Sequence, residues 1–125
     1  MKLQGKTILI AEDEADLREL LIDVFNACGA EAVGAENGTI AFAMAQKQNF
    51  DAVVTDIRMP GGDGVTLIKN INQHLAVKPK IFVCSAFNDL NPEDFVSLGV
   101  VESFGKPFKR NAIIDAVAKA LNISS

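Results

Sequence analysis

The sequence predicts an α/β domain of five parallel strands alternating with five helices. Three observations lead there. Short apolar runs rich in β-branched residues recur along the chain. Between them, apolar residues fall at helical spacing. Acidic, hydroxyl and lysine side chains gather where the strand-like runs stop.

Thr7-Ile8-Leu9-Ile10-Ala11, Asp51-Ala52-Val53-Val54-Thr55 and Lys80-Ile81-Phe82-Val83-Cys84 are near-continuous apolar runs of strand length. Runs without polar alternation suit central parallel strands covered on both faces. Glu31 to Ala35 and Val100 to Phe104 supply weaker second and fifth strands. Leu17, Leu20, Leu21, Val24, Phe25 and Cys28 recur at the spacing of one helical face, and Gly29 ends that helix. Ile40, Ala43 and Met44 mark a second helix capped by Asn37, and Leu67, Ile68 and Ile71 a third. Asn91-Pro92-Glu93-Asp94 combines a cap, a proline at the first helical position and first-turn acids, so it opens a fourth. Ile113, Ile114, Val117, Ala118 and Leu121 mark the fifth. Strict strand–helix alternation implies a parallel sheet with right-handed crossovers.

A chain of 125 residues, 49% of them hydrophobic, suffices for one domain with one core, expected to span residues 1–125 without linker or repeat. The net charge of −4 and the lack of a basic run argue against nucleic acid as a partner. No apolar run approaches the roughly 20 residues of a membrane span. Met1 to Lys6 leads straight into the first strand, leaving no room for a secretory leader, so no membrane partner and a cytoplasmic location are expected. Cys28 and Cys84 lie far apart and read as reduced core thiols.

In open α/β sheets, ligands bind beyond the carboxyl ends of the strands, where the strand order switches. The first strand ends in Glu12-Asp13-Glu14, the third in Asp56 and the fourth in Ser85, while the fifth leads to Lys106. Were the order 2-1-3-4-5, Glu12, Asp13 and Asp56 would converge, with Ser85 and Lys106 facing them. Unit charges ~4 Å apart repel by on the order of 4 kcal/mol at an effective dielectric of ~20. Such crowding either raises carboxyl pKa values or recruits a divalent cation. A few oxygen donors suit Mg²⁺, which keeps several waters and binds phosphate, and no His or Cys is placed to favour zinc.

The acids after the first strand, the segment Val53 to Gly64, Ser85-Ala86 and Lys106-Pro107-Phe108 together resemble the response-regulator receiver family of two-component signalling, chemotaxis regulators included. The match covers the whole chain. It implies a flavodoxin-like, doubly wound sheet in the order 2-1-3-4-5. It implies that Asp56 is the phosphoacceptor, forming an acyl phosphate. Asp13, Asp56 and the backbone carbonyl of Arg58 would hold Mg²⁺, and Glu12, where the family more often has Asp, would act through water. Lys106 and the Ser85 hydroxyl would bind phosphoryl oxygens, small Ala86 would leave access, and the Lys106-Pro107 bond would be cis. The donor would be a histidine kinase or a histidine phosphotransfer protein. Ser85 and the loop from Ala86 to Asn91 would switch the face of the fourth helix, fifth strand and fifth helix, the expected surface for a target protein or a second copy. The family's rotating aromatic is absent: its position is Ser103, with Phe104 or Phe87 as the expected substitute.

Other readings stay open at this level. An Mg²⁺-dependent aspartate-nucleophile phosphatase would need a second Asp where Arg58 stands, so the chain is expected not to be an enzyme beyond slow self-dephosphorylation. A flavodoxin-type nucleotide binder would need a phosphate loop where Glu12-Asp13-Glu14 stands. A stand-alone receiver with no output domain after residue 125 is the leading expectation, and a fragment of a longer regulator or of a hybrid kinase is the alternative. Asp63-Gly64 reads as the turn opening the third helix, His74 as a surface residue, and Lys109-Arg110 as solvated charge. Phe95, Phe104 and Phe108 are at least half core.

Overall fold

A computed structural model describes residues 2–85, 92–106 and 109–121. Strands and helices alternate as β1 (Thr7–Ala11), α1 (Ala15–Ala27), β2 (Glu31–Ala35), α2 (Gly38–Lys47), β3 (Ala52–Thr55), α3 (Gly64–His74), β4 (Lys80–Ser85), α4 (Pro92–Leu98), β5 (Val100–Gly105) and α5 (Arg110–Leu121). The strands form one sheet in the order β2-β1-β3-β4-β5, every neighbouring pair parallel. This is the flavodoxin-like α/β fold.

Side chains on a strand point alternately to the two faces, so an all-apolar strand feeds two cores at once. Ile8, Ile10, Val54 and Phe82 join Leu21 and Phe25 of α1 and Ile113, Ile114 and Val117 of α5. Leu9, Val53, Ile81 and Val83 face the other way, against Ala41 and Ala45 of α2 and Leu67, Ile68 and Ile71 of α3. All four residues of β3 are buried. Helices α1 and α3, which follow β1 and β3, therefore pack on opposite faces, so the carboxyl ends of β1 and β3 form the switch point where such sheets bind ligands.

The local signals behave as their chemistry requires. The Asn37 side chain accepts the Ile40 amide at the start of α2, and Asp63 accepts the Thr66 amide at the start of α3. Gly29, at φ 91°, follows the last turn of α1. Strand β3 starts one residue later than the pattern suggests. The Asp51 carboxylate instead takes the Thr7 amide at 2.8 Å and so pins the amino edge of the sheet. Strand β4 runs one residue further, carrying Ser85 in register with Gly105. Strand β5 is an edge, irregular opposite Ile81 and Phe82, and Val101, Glu102 and Ser103 are exposed. That exposure explains its weak apolar signal.

Cys84 is buried, which pushes its thiol up to about 12, and Cys28 is half-buried; both are free. No helix among the described residues is long and apolar enough to cross a membrane. The expectations for Ala86, Phe87, the Asn91 cap, the Lys106-Pro107 bond and Phe108 fall outside the described residues.

Candidate functional site

The site begins where β1 and β3 run out. Glu12 extends the ladder one step, its amide donating to the Ala35 carbonyl at 3.0 Å. Asp56 does the same one strand over, its amide donating to the Ala11 carbonyl at 2.9 Å. Adjacent parallel strands in matched register thus deliver two carboxylates side by side. The Lys106 amide donates to the Ser85 carbonyl at 3.0 Å, which brings in the lysine from β5.

Lys106 Nζ then bridges the acids, 2.9 Å from Glu12 Oε1 and 2.8 Å from Asp56 Oδ2. The second oxygen of each carboxylate takes a backbone amide. Asp56 Oδ1 accepts from Ile57 at 2.7 Å, and Glu12 Oε2 accepts from Glu14 at 3.1 Å. Glu12 is 1% exposed, Asp56 7% and Ser85 6%, whereas Asp13 lies open to solvent. One carboxylate oxygen from each of Glu12, Asp13 and Asp56 lies within 4.8 Å of the others.

Three carboxylates against one ammonium leave the pocket negative. Burial drives the Glu12 carboxyl above the ordinary range, and the Asp56 charge and the neighbouring Asp13 push the same way. The Glu14 amide and Lys106 oppose without cancelling this. Burial works against the Lys106 ammonium, but hydrogen bonds to Asp56 and Glu12 outweigh it and raise its pKa.

The family model for the response regulator receiver domain matches residues 8–118. The chain belongs to that family. Among curated relatives, sporulation initiation phosphotransferase F of Bacillus subtilis is 32% identical over 124 residues, covering 98% of this chain and 99% of that relative. The chemotaxis protein CheY of the same organism is 34% identical over 117 residues, covering 92% of this chain and 97% of the other. A putative response regulator from Chloroflexus aurantiacus superposes with a TM-score of 0.86 at 29% identity, over 95% of this chain and 99% of that one.

As a receiver of two-component signalling, the chain presents an acidic pocket, Glu12, Asp13 and Asp56, consistent with the family's Mg²⁺ site. The donor set fits that hard cation: oxygen only, closely spaced, with Asp13 facing solvent. Receivers are typically phosphoacceptors rather than enzymes in the usual sense, and they partner with histidine kinases and phosphotransferases. Of the expected site residues, Glu12, Asp13, Asp56 and Lys106 come together at the carboxyl ends of the strands, Ser85 is joined to Lys106 through its backbone carbonyl, and Phe104 packs against the core instead. Arg58 lies in the β3–α3 loop with its side chain exposed. That loop is tied to α2 by the Thr39 hydroxyl donating to the Gly61 carbonyl at 2.7 Å and by the Gly38 amide donating to the Gly62 carbonyl at 2.8 Å.

Phe104 and Phe95 are half-buried and pack against the two opposite cores, so each is largely core. His74 ends α3, exposed, its ring 6.0 Å from that of Phe42. Lys109 and Arg110 are exposed.

Three supports escape a reading of the sequence. The Thr55 hydroxyl donates to the Asp56 carbonyl at 2.7 Å. The Arg18 guanidinium donates to the Glu12 carbonyl at 2.7 Å. Gly64 lies so close to Asp56 that a Cβ there would overlap the Asp56 carbonyl oxygen. Only the glycine left a trace in the sequence, and a turn accounts for it equally well.

The raised Glu12 carboxyl carries a pH signature. Folded Glu12 binds its proton more tightly than the unfolded chain does. Its contribution to stability is therefore full below the ordinary glutamate pKa and is lost as pH rises through the raised value. Divalent cations need the ionised form, so Mg²⁺ affinity should begin to fall on acidification above the pH where ordinary carboxylates titrate. Calorimetric Mg²⁺ titrations between neutral pH and pH ~5 would check this. The acid limb should move to lower pH in Glu12→Gln, and an unmoved limb would assign it to another group.

Proposed function

We propose that this chain is a phosphoacceptor receiver, residues 1–125 forming one receiver domain that takes a phosphoryl group onto Asp56 and switches partner binding. The observation that carries the reading is the placement of Asp56. Its carboxylate sits at a strand end, 2.8 Å from Lys106 and within 4.8 Å of carboxylate oxygens of Glu12 and Asp13.

Phosphoryl transfer needs alignment and charge neutralisation more than covalent help. A carboxylate oxygen of Asp56 attacks the phosphorus of a phosphohistidine. The O–P bond forms as the N–P bond breaks, and the imidazole leaves with the electron pair. Mg²⁺, held by Asp13, Asp56 and the Arg58 carbonyl, with Glu12 acting through water, would supply positive charge against the transferring group. Lys106, already on Asp56 Oδ2, meets a phosphoryl oxygen as a point charge. The Ser85 hydroxyl donates to another, and the small side chain of residue 86, an alanine in the sequence, would suit access to the aspartate. The donor is a histidine kinase or a phosphotransfer protein. Relatives named as a phosphotransferase and as a chemotaxis protein support a relay or docking role.

Release of Lys106 and Ser85 toward the phosphoryl group would move the loop 86–91, with Phe104 or Phe87 following. It would thereby repack the α4–β5–α5 face, where a target or a second copy docks. Val96, 78% exposed, and Val101, 48% exposed, give that face apolar contact area. Arg58 two residues after Asp56 speaks against a phosphatase, which would place its acid there.

Intact mass after incubation with acetyl phosphate and Mg²⁺ tests the reading. Wild type should gain one phosphoryl group and Asp56→Ala none. Equal labelling of both would remove Asp56 from the chemistry.

A further inference from the structure

The residues that carry charge into the pocket sit on a corner, Glu12-Asp13-Glu14, between the end of β1 and the start of α1. A corner without regular structure holds its aim only if its backbone groups are bonded. The Glu12 amide is on Ala35 of β2, and the Glu14 carbonyl accepts the Arg18 amide at 2.9 Å. The Glu12 carbonyl between them accepts from Arg18 Nη1 at 2.7 Å. A carbonyl and the following amide lie in one rigid plane. Fixing the Glu12 carbonyl therefore fixes the peptide that leads into Asp13.

A second, independent feature points to the same side chain. Gly34, in β2, has an ordinary strand conformation, so no turn calls for glycine there. A Cβ at that position would stand 2.9 Å from both Cγ and Cδ of Arg18, and 2.9 Å from Ile22 Cδ1. A glycine inside a strand weakens it and marks a close approach. Here what approaches is the stem of Arg18, which crosses Gly34 to bring a permanently charged, rigid fork to the Glu12 carbonyl.

We propose that Arg18 is a positioning residue of the receiver pocket: it locks the Glu12–Asp13 peptide so that both carboxylates face the ion and phosphoryl group at Asp56, and Gly34 is the slot that admits its stem. This rests on the receiver reading above. Arg18 touches neither ion nor phosphoryl group; it acts through the corner. Outer partners that orient metal-binding carboxylates are typically worth 10- to 100-fold in affinity, and the lower end of about 10-fold is expected for a single backbone-directed bond.

Calorimetric Mg²⁺ titration of the full chain near neutral pH tests this, with wild type, Arg18→Ala, Arg18→Lys, Gly34→Ala and the Arg18→Ala/Gly34→Ala pair. Arg18→Ala should bind Mg²⁺ about 10-fold more weakly, with Arg18→Lys tighter than Arg18→Ala because a donor remains. Gly34→Ala should weaken binding in the wild-type background and leave it unchanged in the Arg18→Ala background, since its effect passes through the arginine. Wild-type Mg²⁺ affinity in folded Arg18→Ala, even with a lowered melting temperature, overturns the proposal, because a merely structural role would move stability alone. So does a Gly34→Ala effect of equal size in both backgrounds. Should Arg18→Ala not fold, unchanged affinity in both Arg18→Lys and Gly34→Ala would also overturn it. Wild type that binds no Mg²⁺ would sink the pocket reading itself, and this proposal with it.

Discussion

Lys106→Ala should lose about 2 kcal/mol of stability at neutral pH and slow labelling by acetyl phosphate on the order of 100-fold. In the wild type, Nζ lies between Glu12 Oε1 and Asp56 Oδ2, at 2.9 and 2.8 Å. Removing it leaves two buried carboxylates facing each other without a cation. Breaking one partner of a buried pair costs several kcal/mol, and the lower end applies because Lys106 keeps 23% of its side chain in solvent. The pH dependence follows from the signs. Lys106 has a raised folded pKa, so its stabilisation is complete below the ordinary lysine value and disappears as pH climbs through the raised one. In the variant, the deficit should shrink on acidification, because Glu12, already biased toward its protonated form, takes up a proton and relieves the repulsion. Added Mg²⁺ should also restore part of the loss by binding the native state. Urea unfolding followed by circular dichroism suits this chain, which has neither Trp nor Tyr. A variant as stable as the wild type at neutral pH would show that the bridge contributes nothing to the fold.

The second large effect belongs to a residue with no side chain. Gly64→Ala is expected to cost about 3 kcal/mol or more, the upper end for overpacking a tight interior. The Gly64 amide donates to the Ile57 carbonyl at 2.7 Å, which folds the β3–α3 loop back onto the strand end. A Cβ at residue 64 would overlap the Asp56 carbonyl oxygen and stand 3.0 Å from its carbon and 3.1 Å from the Ile57 Cα. All three are backbone atoms that no rotamer change can move. Relief must come from shifting either α3 or the peptide that carries Asp56, so labelling of Asp56 should suffer along with stability. Gly105→Ala is the control: nothing lies within 4 Å of its added Cβ, and its change should stay within about 0.5 kcal/mol. Matching urea midpoints for the two variants would refute the close-approach account.

The central strands and their helices were legible because burial on two faces leaves a continuous apolar run, as β1, β3 and β4 do. Strand β5 was faint because three of its residues face solvent at the sheet edge. Helix starts at Asn37 and Asp63 were legible because capping is local chemistry within a few residues. The acids of the pocket could be named because each lies within two residues of a strand end. Their grouping into one site needed an assumed strand order, which the resemblance to receivers supplied and the parallel pairing of β1 with β3 bears out.

By itself, the sequence determined the alternation of elements, the two-sided core and the kinds of side chain offered at each strand end, since these depend on neighbours a few residues apart. Only the tertiary structure decided who meets whom: Lys106 bridging residues 94 and 50 positions away, Arg18 crossing Gly34 to hold a carbonyl, and Gly64 admitting the Asp56 backbone. Such contacts depend on distances across the sheet, and hydrogen bonds to backbone carbonyls or space left by a missing Cβ put no pattern into the order of the residues.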